Sequence, residues 1–564
     1  KMQYILNVLM TRELHIIQIS DLHGWIGGHR HEEQYGDLSH AQSYVDRVHL
    51  NLTNNKDADV LFIDGGDSCE GTGFSDRTSP RCSSVLEVMG KMSLNATTVG
   101  NHDLGDAKTV EFIVNNNEKI FGDRFLTTNT FFNDKPIGKQ YKYVTTKNGL
   151  RVLMFGFLYT SENNYHGAIV KPQVEVIRGP EIQAVLQQYA KITDVLILDL
   201  HIASREKEAN ETYLEMRKQF KKYNYDVPIM VMTAHSHQTH TYDCYDENNI
   251  NDTNCYNTEA GCYGRNLLHN VIILEDKEIV NGDEKFIGVQ LKSKHTFQGQ
   301  NIELSHFKKG VDIGMAARTN TSIDDFDTPA GSAMRANIAK LEKELNISAK
   351  IGYSKYKYIK RGLLSENTSM NRMWIYSVYP NVVYQTGQQN QQFVVANSGS
   401  IRDHMYEGII VNDDVNTIMP FPNSLFVYRG VEGQNLMCIL DKMNGKVDPV
   451  KQLPKNMYPE KPVNGRLYDV LTDDYNAARI AENFEKCINN TEVPVLDSYT
   501  AKISHLKKTD DILKYYVETY MKDDDMFAET IETHVDEIVL GVSITMAALS
   551  GVLVLIHLIT SWEK

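Results

Sequence analysis

Five short polar clusters within the first half of this 564-residue chain contain side chains that can bind metal ions. The candidate ligands are Asp21 and His23, Asp67, Asn101 with the adjacent His102 and Asp103, His201, and finally His235 with His237. Imidazole nitrogen combined with carboxylate and amide oxygen suits divalent ions such as zinc, manganese or iron. Two such ions need about eight ligand bonds when one group is shared, and the clusters can supply them. The residue types therefore predict a binuclear metal site.

The chain segments that must position these clusters repeat one theme. Each cluster follows a short apolar run with the composition of a β-strand, and amphipathic helical patterns lie between the runs. The runs span residues 14–19, 60–63, 97–99, 195–198 and 227–232, and the helical patterns span residues 39–52, 83–92 and 181–192. Open α/β sheets place their sites where the loops at the carboxyl ends of strands converge. We therefore expect an α/β domain in which the clusters meet in one crevice.

Each cluster taken alone has a plainer interpretation. A histidine after a strand is more often an ordinary core or surface residue, and a Gly-Asp pair such as Gly66 with Asp67 is usually part of a turn. The joint occurrence of all five clusters, each at the end of a β-run in one domain, favours a shared site over coincidence.

In this order and spacing, the clusters resemble the calcineurin-like metallophosphoesterases and, within them, the 5'-nucleotidase family. The resemblance implies that one metal is bound by Asp21, His23, Asp67 and His237, and the other by Asp67, Asn101, His201 and His235. Asp67 would bridge the ions and bring them to roughly 3.5–4 Å. Zinc is the leading candidate, with manganese, iron or cobalt as alternatives. Water activated by the two ions would then attack phosphorus without a covalent enzyme intermediate.

His102 lies between Asn101 and Asp103 in the third cluster. The resemblance makes it the imidazole that stabilises the transition state or protonates the leaving group, and an acid should orient it. In 5'-nucleotidases this acid commonly stands three residues after the histidine, but position 105 is glycine here. Asp103, the arrangement of the broader superfamily, is the preferred partner, and Asp106 is the alternative.

A later region resembles the C-terminal, nucleoside-binding domain of the 5'-nucleotidases. It contains FVVANSGSIR at residues 393–402 and an aromatic residue after a proline at position 421. The resemblance implies that the substrate is bound by Asn397, Arg402, Phe421 and, as a second aromatic, Tyr475. A planar ring can stack on a base and arginine can bind phosphate or ribose oxygens, whereas core packing and a surface ion pair are the plainer alternatives. Two family features are missing, the Gly-Gly-Asp loop after Tyr475 and an arginine before Glu366.

These residues predict an enzyme that hydrolyses phosphoric esters, with a nucleoside 5'-monophosphate as the leading substrate. A nucleotide-sugar diphosphatase or a cyclic phosphodiesterase would use the same metals and is the alternative. A receptor built on an inactive enzyme fold is a remote third interpretation, which the complete set of metal positions disfavours. The net charge of −15 and the lack of a basic stripe disfavour nucleic acid as a partner. The expected partner is a small phosphorylated substrate, and a homodimer is left open.

The chain is longer than one hydrophobic core usually supports. The predicted fold class is α/β: a metallophosphoesterase β-sandwich flanked by helices, a C-terminal α/β 5'-nucleotidase domain and one transmembrane helix. The predicted limits are residues 11–320 for the catalytic domain, 321–351 for a helical linker, 352–520 for the C-terminal domain, 521–537 for a juxtamembrane stretch and 538–560 for the transmembrane helix.

Three features indicate the secretory pathway. The chain has eight Asn-x-Ser/Thr sequons, and Cys244, Cys255 and Cys262 crowd one polar segment in which two could form a disulfide. Residues 538–560 contain no Asp, Glu, Lys or Arg, and about 20 apolar residues suffice to cross a bilayer. We therefore expect a glycosylated, single-pass type I membrane protein whose catalytic part is extracellular or lumenal, at the cell surface or in a vacuole or lysosome. A lipid-anchor signal in place of the helix is the alternative.

Overall fold

The computed structural model describes residues 11–32, 36–161, 165–223, 226–281, 284–297, 315–316, 319–488 and 494–522. They form two compact units. The first comprises the described residues of Lys1–Ala349 together with Asn412–Phe421, and the second comprises those of Lys350–Val411 and Pro422–Lys564. The chain thus leaves the first unit after Ala349 and returns to it for one short segment. The domain limits inferred from the sequence stay a prediction.

The first unit is built around two six-stranded sheets. In spatial order, the first sheet contains Glu284–Phe297, Leu268–Asn281, Thr11–Ile19, Ala58–Asp64, Ala96–Thr98 and Phe125–Leu126. The second sheet contains Thr239–Tyr242, Cys255–Ala260, Ile229–Thr233, Val195–His201, Arg151–Leu158 and Lys142–Thr145. In each sheet four consecutive strands run parallel, so that their carboxyl ends share one edge. A small third sheet contains Lys135–Pro136, Thr130–Phe132 and Ala168–Val170.

The parallel strands are apolar on both faces because both faces are covered. Along Thr11–Ile19, Leu14 and Ile16 join a core cluster that includes Ile197 of the second sheet. Ile17 and Ile19 belong to a different cluster, which contains residues of the surrounding helices. The period-two alternation of a strand thus supplies both the core shared by the sheets and a helix-covered face.

Helices cover the outer face of each sheet. Those on the first sheet are Leu38–Asn51, Ser83–Gly90, Ala107–Phe121 and Pro329–Glu344. Those on the second sheet are Gln173–Arg178, Pro180–Tyr189 and Lys207–Tyr223. Side-chain caps fix where two of them begin, since Asp37 accepts from the backbone N–H of Ser39 and His40, and Asp106 accepts from that of Thr109. The predicted α/β architecture, with strands at the apolar runs and helices between them, is confirmed.

The segment Asn412–Phe421 packs within the first unit, although residues of the second unit precede and follow it. It begins with the helix Asn412–Ile418, in which the Asp413 carboxylate accepts from the N–H of Gly73 at 2.6 Å. The carboxylate of Asp414 lies 2.7 Å from His31 Nε2. Arg81 donates to the carbonyl of Pro420 at 3.1 Å. These contacts attach the segment to the first unit up to Phe421.

The second unit has a five-stranded sheet and its own core. In spatial order the strands are Asn456–Met457, Gln391–Asn397, Leu467–Asp473, Leu425–Glu432 and Leu496–Ser498. Lys350–Ser354 pairs separately with Gly408–Val411. The helices are Met370–Met373, Trp374–Val383, Gly433–Asn444, Asp474–Cys487 and Thr509–Tyr520. Phe393, Tyr428 and Phe484 contribute to its main apolar cluster.

Three disulfides are present among the described residues. Cys244–Cys255 joins two of the three cysteines that crowd one segment, and Cys262 instead lies with its sulfur 3.9 Å from the carbonyl of His237. Cys69–Cys82 closes a loop in the first unit, and Cys438–Cys487 links two helices of the second.

The predicted fold class needs one correction. Within the described part of the chain, no helix is long and apolar enough to cross a membrane. The longest described helix, Lys207–Tyr223, has 17 residues and carries many charges, whereas a span needs about 20 predominantly apolar residues. The segment 538–560, on which the prediction rested, lies outside the described residues, as do residues 523–537.

Candidate metal centre

All the predicted metal ligands lie in the first unit at the carboxyl ends of its strands. Asp21 and His23 follow Thr11–Ile19, Asp67 follows Ala58–Asp64, Asn101 follows Ala96–Thr98, His201 ends Val195–His201, and His235 with His237 follow Ile229–Thr233. Because the parallel strands share one edge in each sheet, the loops converge as expected.

The loops bend sharply at the candidate ligands. Five of these candidates have a positive φ, namely Asp21 at 50°, His23 at 47°, Asp67 at 54°, His235 at 75° and His237 at 61°. This left-handed conformation is uncommon for non-glycine residues and costs about 1–2 kcal/mol for each. Such strain persists where surrounding contacts fix it, and it clusters at functional sites. The backbone at these five residues is therefore held in a strained, left-handed conformation, as is typical of a functional site.

Glycine allows two of these loops to approach each other. A Cβ on Gly100 would lie 2.0 Å from Asp67 Oδ1, and a Cβ on Gly66 would lie 2.8 Å from the nitrogen of Gly100. The N–H of Asp21 donates to the carbonyl of Gly66 at 2.8 Å. A side chain at Gly100 would collide with Asp67, and one at Gly66 would collide with the backbone of Val99 and Gly100.

The ligand atoms form two neighbouring groups that meet at Asp67. In one group Asp21, His23 and His237 place one donor atom each within 4.8 Å of one another, and in the other Asp67, His201 and His235 do the same. Asp67 Oδ2 lies 3.1 Å from His201 Nε2 and 3.7 Å from His23 Nε2. It stands between the groups, where a shared ligand would be.

The polar atoms at the centre have the orientation that a metal ion requires. Backbone carbonyls accept from His201 Nδ1 at 2.8 Å and from His23 Nδ1 at 2.9 Å, so that in the neutral rings each Nε2 carries the lone pair. At this centre, the buried atoms Asp67 Oδ2, Asn101 Oδ1 and His201 Nε2 are among those of the described residues that have no partner in hydrogen-bonding geometry. Buried polar groups are normally satisfied, and a divalent cation would satisfy all three. The residues present fit a binuclear metal centre.

The charges point the same way. Burial raises the pKa of Asp21 to about 8; the positive charge of His201 opposes this shift and the negative charge of Asp67 adds to it. Burial would also raise the pKa of Asp67, but the charges of His201, His102 and His23 hold it well below its usual range. Burial opposes protonation of His201, yet Asp67 raises its pKa to about 10. A metal ion would displace that proton and keep both carboxylates ionised.

His102 lies at the edge of this cluster. Its backbone N–H donates to Asp67 Oδ1 at 2.8 Å, and its ring centroid is 4.8 Å from that of His23. Its Nδ1 lies 2.5 Å from Glu70 Oε2. The ring of Phe421 lies over it, with centroids 5.9 Å apart and an interplanar angle of 27°.

The acid beside His102 differs from the predicted one. The sequence predicts Asp103, but the Asp103 carboxylate accepts from the backbone N–H groups of Asp67, Ser68, Cys69 and Gly100 at 2.8–3.1 Å and so binds the Asp67 loop. The alternative, Asp106, caps the helix Ala107–Phe121. Glu70, three residues after Asp67, holds the ring instead, and Arg81 lies 3.5 Å from the second oxygen of Glu70. The disulfide Cys69–Cys82 encloses both of these residues.

Sequence reasoning also missed two tyrosines beside the ligands. The ring of Tyr159 lies 4.6 Å from that of His235, and the ring of Tyr263 lies 5.2 Å from that of His237. The position of Tyr159 directly after the strand Arg151–Leu158 was the one sequence signal available for it. Each tyrosine ring thus lies beside one histidine of the cluster.

The predicted substrate residues fall in different units. Phe421 is in the first unit, beside His102, whereas Asn397, Arg402 and Tyr475 are in the second. There Asn397 ends a strand and its side chain accepts from the N–H of Gly399 at 2.9 Å. Arg402 is half-buried, and Tyr475 is 45% exposed with the Arg479 guanidinium 4.3 Å from its ring centroid. Their binding roles stay predictions.

Comparison with known proteins identifies the family of the domain that contains these residues. Residues 14–239, which contain all the candidate ligands, match the calcineurin-like phosphoesterase family. The chain contains a calcineurin-like phosphoesterase domain. This confirms the predicted enzyme class, a phosphoric ester hydrolase, and the family implies divalent metal ions. Residues 357–534, which follow the phosphoesterase domain, match the C-terminal domain of NAD nucleotidase.

Relatives of the phosphoesterase chain include fungal proteins. A protein of Arthroderma benhamiae named "Secreted protein" is 24% identical over 458 residues, which cover 77% of this chain and 67% of the relative. An uncharacterized protein of Schizosaccharomyces pombe is 24% identical over 444 residues, covering 75% and 71% of the two chains.

Solved structures share the fold of this phosphoesterase. The 5'-nucleotidase from Candida albicans is 19% identical with a TM-score of 0.72, covering 90% of this chain and 98% of its own. The 5'-nucleotidase precursor from Thermus thermophilus is 13% identical with a TM-score of 0.57, covering 91% and 97%. At these identities the likeness concerns the fold alone.

Proposed function

We propose that this phosphoesterase hydrolyses a nucleoside 5'-monophosphate to a nucleoside and phosphate. The observation that carries the proposal is the Phe421 ring lying over His102, beside the cluster of candidate ligands. A flat apolar surface so close to the reacting group suits a substrate in which a planar base follows the phosphoryl group at short distance. The likeness of the fold to 5'-nucleotidases supports the same substrate class.

The proposed ligands divide the cluster into two sites. Asp21, His23, Asp67 and His237 would hold one ion, and Asp67, Asn101, His201 and His235 would hold the other. In the structure, Asp21, His23 and His237 form one group of neighbouring ligand atoms, and Asp67, His201 and His235 form another. Zinc is our leading candidate because imidazole nitrogen dominates the donor set, and manganese, iron and cobalt are the alternatives. When bound, the ions supply Lewis-acid stabilisation of phosphate charge and lower the pKa of water.

The charge of the proposed site suits a phosphate anion. Asp21 and Asp67 are its two anionic ligands and Asn101 is neutral, so that two divalent ions would leave an excess positive charge of about two before the attacking hydroxide is counted. This charge attracts a phosphate, and because a phosphodiesterase would use the same ligands, the preference for a nucleoside monophosphate rests on Phe421.

In the proposed mechanism, His102 carries a proton and donates it to the leaving oxygen. Glu70 fixes its Nδ1, which leaves Nε2 as the ring atom that faces a substrate and can protonate the leaving oxygen. The carboxylate beside Nδ1 also stabilises the imidazolium form, as in other carboxylate-histidine pairs. Water exclusion on one side of the ring comes from Phe421.

Substrate profiling of the purified chain, reconstituted with zinc, tests the proposal. Phosphate release from AMP is expected to have the highest kcat/KM among AMP, UDP-glucose, NAD and bis(4-nitrophenyl) phosphate. Asp67→Asn, which removes the shared ligand, is expected to lose at least one ion per chain by elemental analysis and most of the turnover. Turnover of the diester without turnover of AMP would contradict the monoester proposal.

A nucleotide with an internal pyrophosphate linkage, such as a nucleotide sugar or NAD, is the second candidate substrate. The match of residues 357–534 to the C-terminal domain of NAD nucleotidase favours it, because NAD carries a pyrophosphate. The same profiling separates the two, since a diphosphatase cleaves NAD or UDP-glucose faster than AMP. A cyclic phosphodiesterase would be revealed by the diester.

We also propose that the enzyme works outside the cytosol. Three disulfides are present among the described residues, and disulfides persist in oxidising compartments. The relative named "Secreted protein" and the eight sequons support an extracellular location. Glycosidase treatment of the protein from its native cells is expected to lower its apparent mass, and an unchanged mass together with reduced cysteines would contradict this location.

A further inference from the structure

Glu259 is a buried acid that the mechanism above does not use. It lies near the end of the strand Cys255–Ala260, and its side chain is fully buried, with 0% of its surface exposed. In the parallel ladder it stands opposite Thr233, the last residue of the strand that precedes His235. Its carboxylate is thus at the same sheet edge as the candidate metal ligands.

Each carboxylate oxygen of Glu259 holds a different loop. Oε1 accepts from the backbone N–H of Ser236 at 3.0 Å and from the Ser236 hydroxyl at 2.5 Å. Oε2 accepts from the N–H of Ser204 at 3.4 Å and also from the Ser204 hydroxyl. Thr233 donates to the Ser204 hydroxyl oxygen at 3.1 Å and ties the network to the neighbouring strand. A buried carboxylate with four donors is a firm anchor.

Both loops contain or directly follow candidate ligands. Ser236 lies between His235 and His237, and Ser204 lies three residues after His201. His235 and His237 have φ values of 75° and 61°, so that the backbone on both sides of Ser236 is strained and needs contacts to hold it. Ser236, the residue between the two candidate ligands, donates two of the hydrogen bonds that hold this turn, both to Glu259.

We infer that Glu259 is a positioning residue for the metal centre: it fixes the loops of three ligand histidines relative to one another and thereby sets the affinity for the ions. This role rests on the proposed ligands. It concerns mainly the ion that Asp67, Asn101, His201 and His235 would hold. Two of those four ligands are on loops that Glu259 holds, whereas the other ion has one such ligand, His237. Supporting groups of this kind typically change metal affinity about 10–100-fold.

The substitution Glu259→Gln tests the inference. Glutamine keeps the size of the side chain, but its amide nitrogen cannot accept the two bonds that one loop donates. We expect one of the two zinc ions to bind about 10–100-fold less tightly in a titration against a chelating indicator, and the other ion to change less. Turnover is expected to recover at high zinc concentration. The matched control is Glu247→Gln, which makes the same chemical change at an exposed position.

The outcomes are distinguishable. If the wild type and both variants bind two zinc ions with equal affinity, Glu259 does not position the ligands, although the proposed function stands. The same conclusion follows if Glu259→Gln lowers Tm of the zinc-free chain and leaves zinc affinity unchanged. If the wild type itself binds fewer than two ions, both the proposed function and this role of Glu259 fail.

A second pair of variants covers the case in which Glu259→Gln does not fold, as judged by circular dichroism. Ser204→Ala and Ser236→Ala each remove one hydroxyl donor and leave the backbone bonds in place. Each is expected to weaken zinc binding, and their combined effect should differ from the sum of the two because they share one carboxylate. Wild-type zinc affinity in the double variant would overturn the inference.

Discussion

Replacing Glu70 by glutamine removes the negative charge beside His102 and nearly preserves the shape of the side chain. Glu70 Oε2 lies 2.5 Å from His102 Nδ1, and the two side chains are 13% and 20% exposed. The glutamine oxygen can still accept from His102 Nδ1–H, so that the variant loses the difference between a charged and a neutral hydrogen bond, about 1–1.5 kcal/mol. If this difference is lost chiefly in the transition state, at about 1.4 kcal/mol for each tenfold change, kcat for AMP should fall about 5- to 12-fold.

The identity of the leaving group shows whether the lost function is proton donation. The alkoxide released from AMP needs a proton as it leaves, whereas 4-nitrophenolate leaves readily without one. Glu70→Gln is therefore expected to lower kcat for AMP far more than kcat for 4-nitrophenyl phosphate, with KM for both little changed. The control is Glu118→Gln, since Glu118 is 80% exposed and pairs with Lys139 at the surface.

Two results would refute this reasoning. Equal falls in kcat for AMP and for 4-nitrophenyl phosphate would mean that His102 does not protonate the leaving oxygen. Unchanged kcat for both substrates would mean that Glu70 does not orient His102. Zinc content has to be measured alongside, so that a loss of ions is not mistaken for a loss of the proton donor.

Three further predictions follow from the geometry. Phe421→Leu removes the flat ring over His102 and is expected to raise KM for AMP about fivefold to tenfold, with a much smaller rise for glycerol phosphate; equal rises in initial-rate kinetics would contradict base stacking. Replacing Cys69 and Cys82 by serine opens the loop that holds Glu70 and is expected to reduce the free energy of unfolding by about 3 kcal/mol and to lower kcat. Opening Cys438–Cys487 should lower Tm without lowering kcat. Burial raises the pKa of Asp37, but His40 lowers it overall to about 2 from 3.8, so its ionised form stabilises the fold above pH 4 and loses this contribution as the pH falls from about 4 to 2. The Tm difference between the wild type and Asp37→Asn is thus expected to fall by about half between pH 6 and pH 3.

The meeting of the candidate ligands in one cluster could be predicted from the sequence because their positions depend on local features. Each candidate directly follows or ends a strand, and the parallel strands of a sheet bring such positions to one edge. The same locality explains the α/β architecture, since apolar runs of strand length and helical patterns alternate along the chain. Phe421 was found by resemblance and not by pattern.

The groups that support the ligands could not be predicted, because their contacts depend on how distant loops turn. Glu259 is separated from Ser204 by 55 residues and from Ser236 by 23. The arrangement of the broader superfamily implies Asp103 as the partner of His102, but consecutive residues in a helical turn do not face each other. In the turn His102–Leu104, the Asp103 carboxylate points to the backbone of the Asp67 loop.

The segment Asn412–Phe421 has a consequence for how such a protein can be divided or recombined. The catalytic unit is not one contiguous stretch of coding sequence, because the ring that lies over His102 is encoded after more than sixty codons of the second unit. A gene cut after Ala349 would retain every candidate metal ligand and lose the ring of Phe421. If Phe421 stacks on the substrate as proposed, exchange of the 3' half between homologous genes would transfer substrate preference and leave the proposed metal ligands with the 5' half.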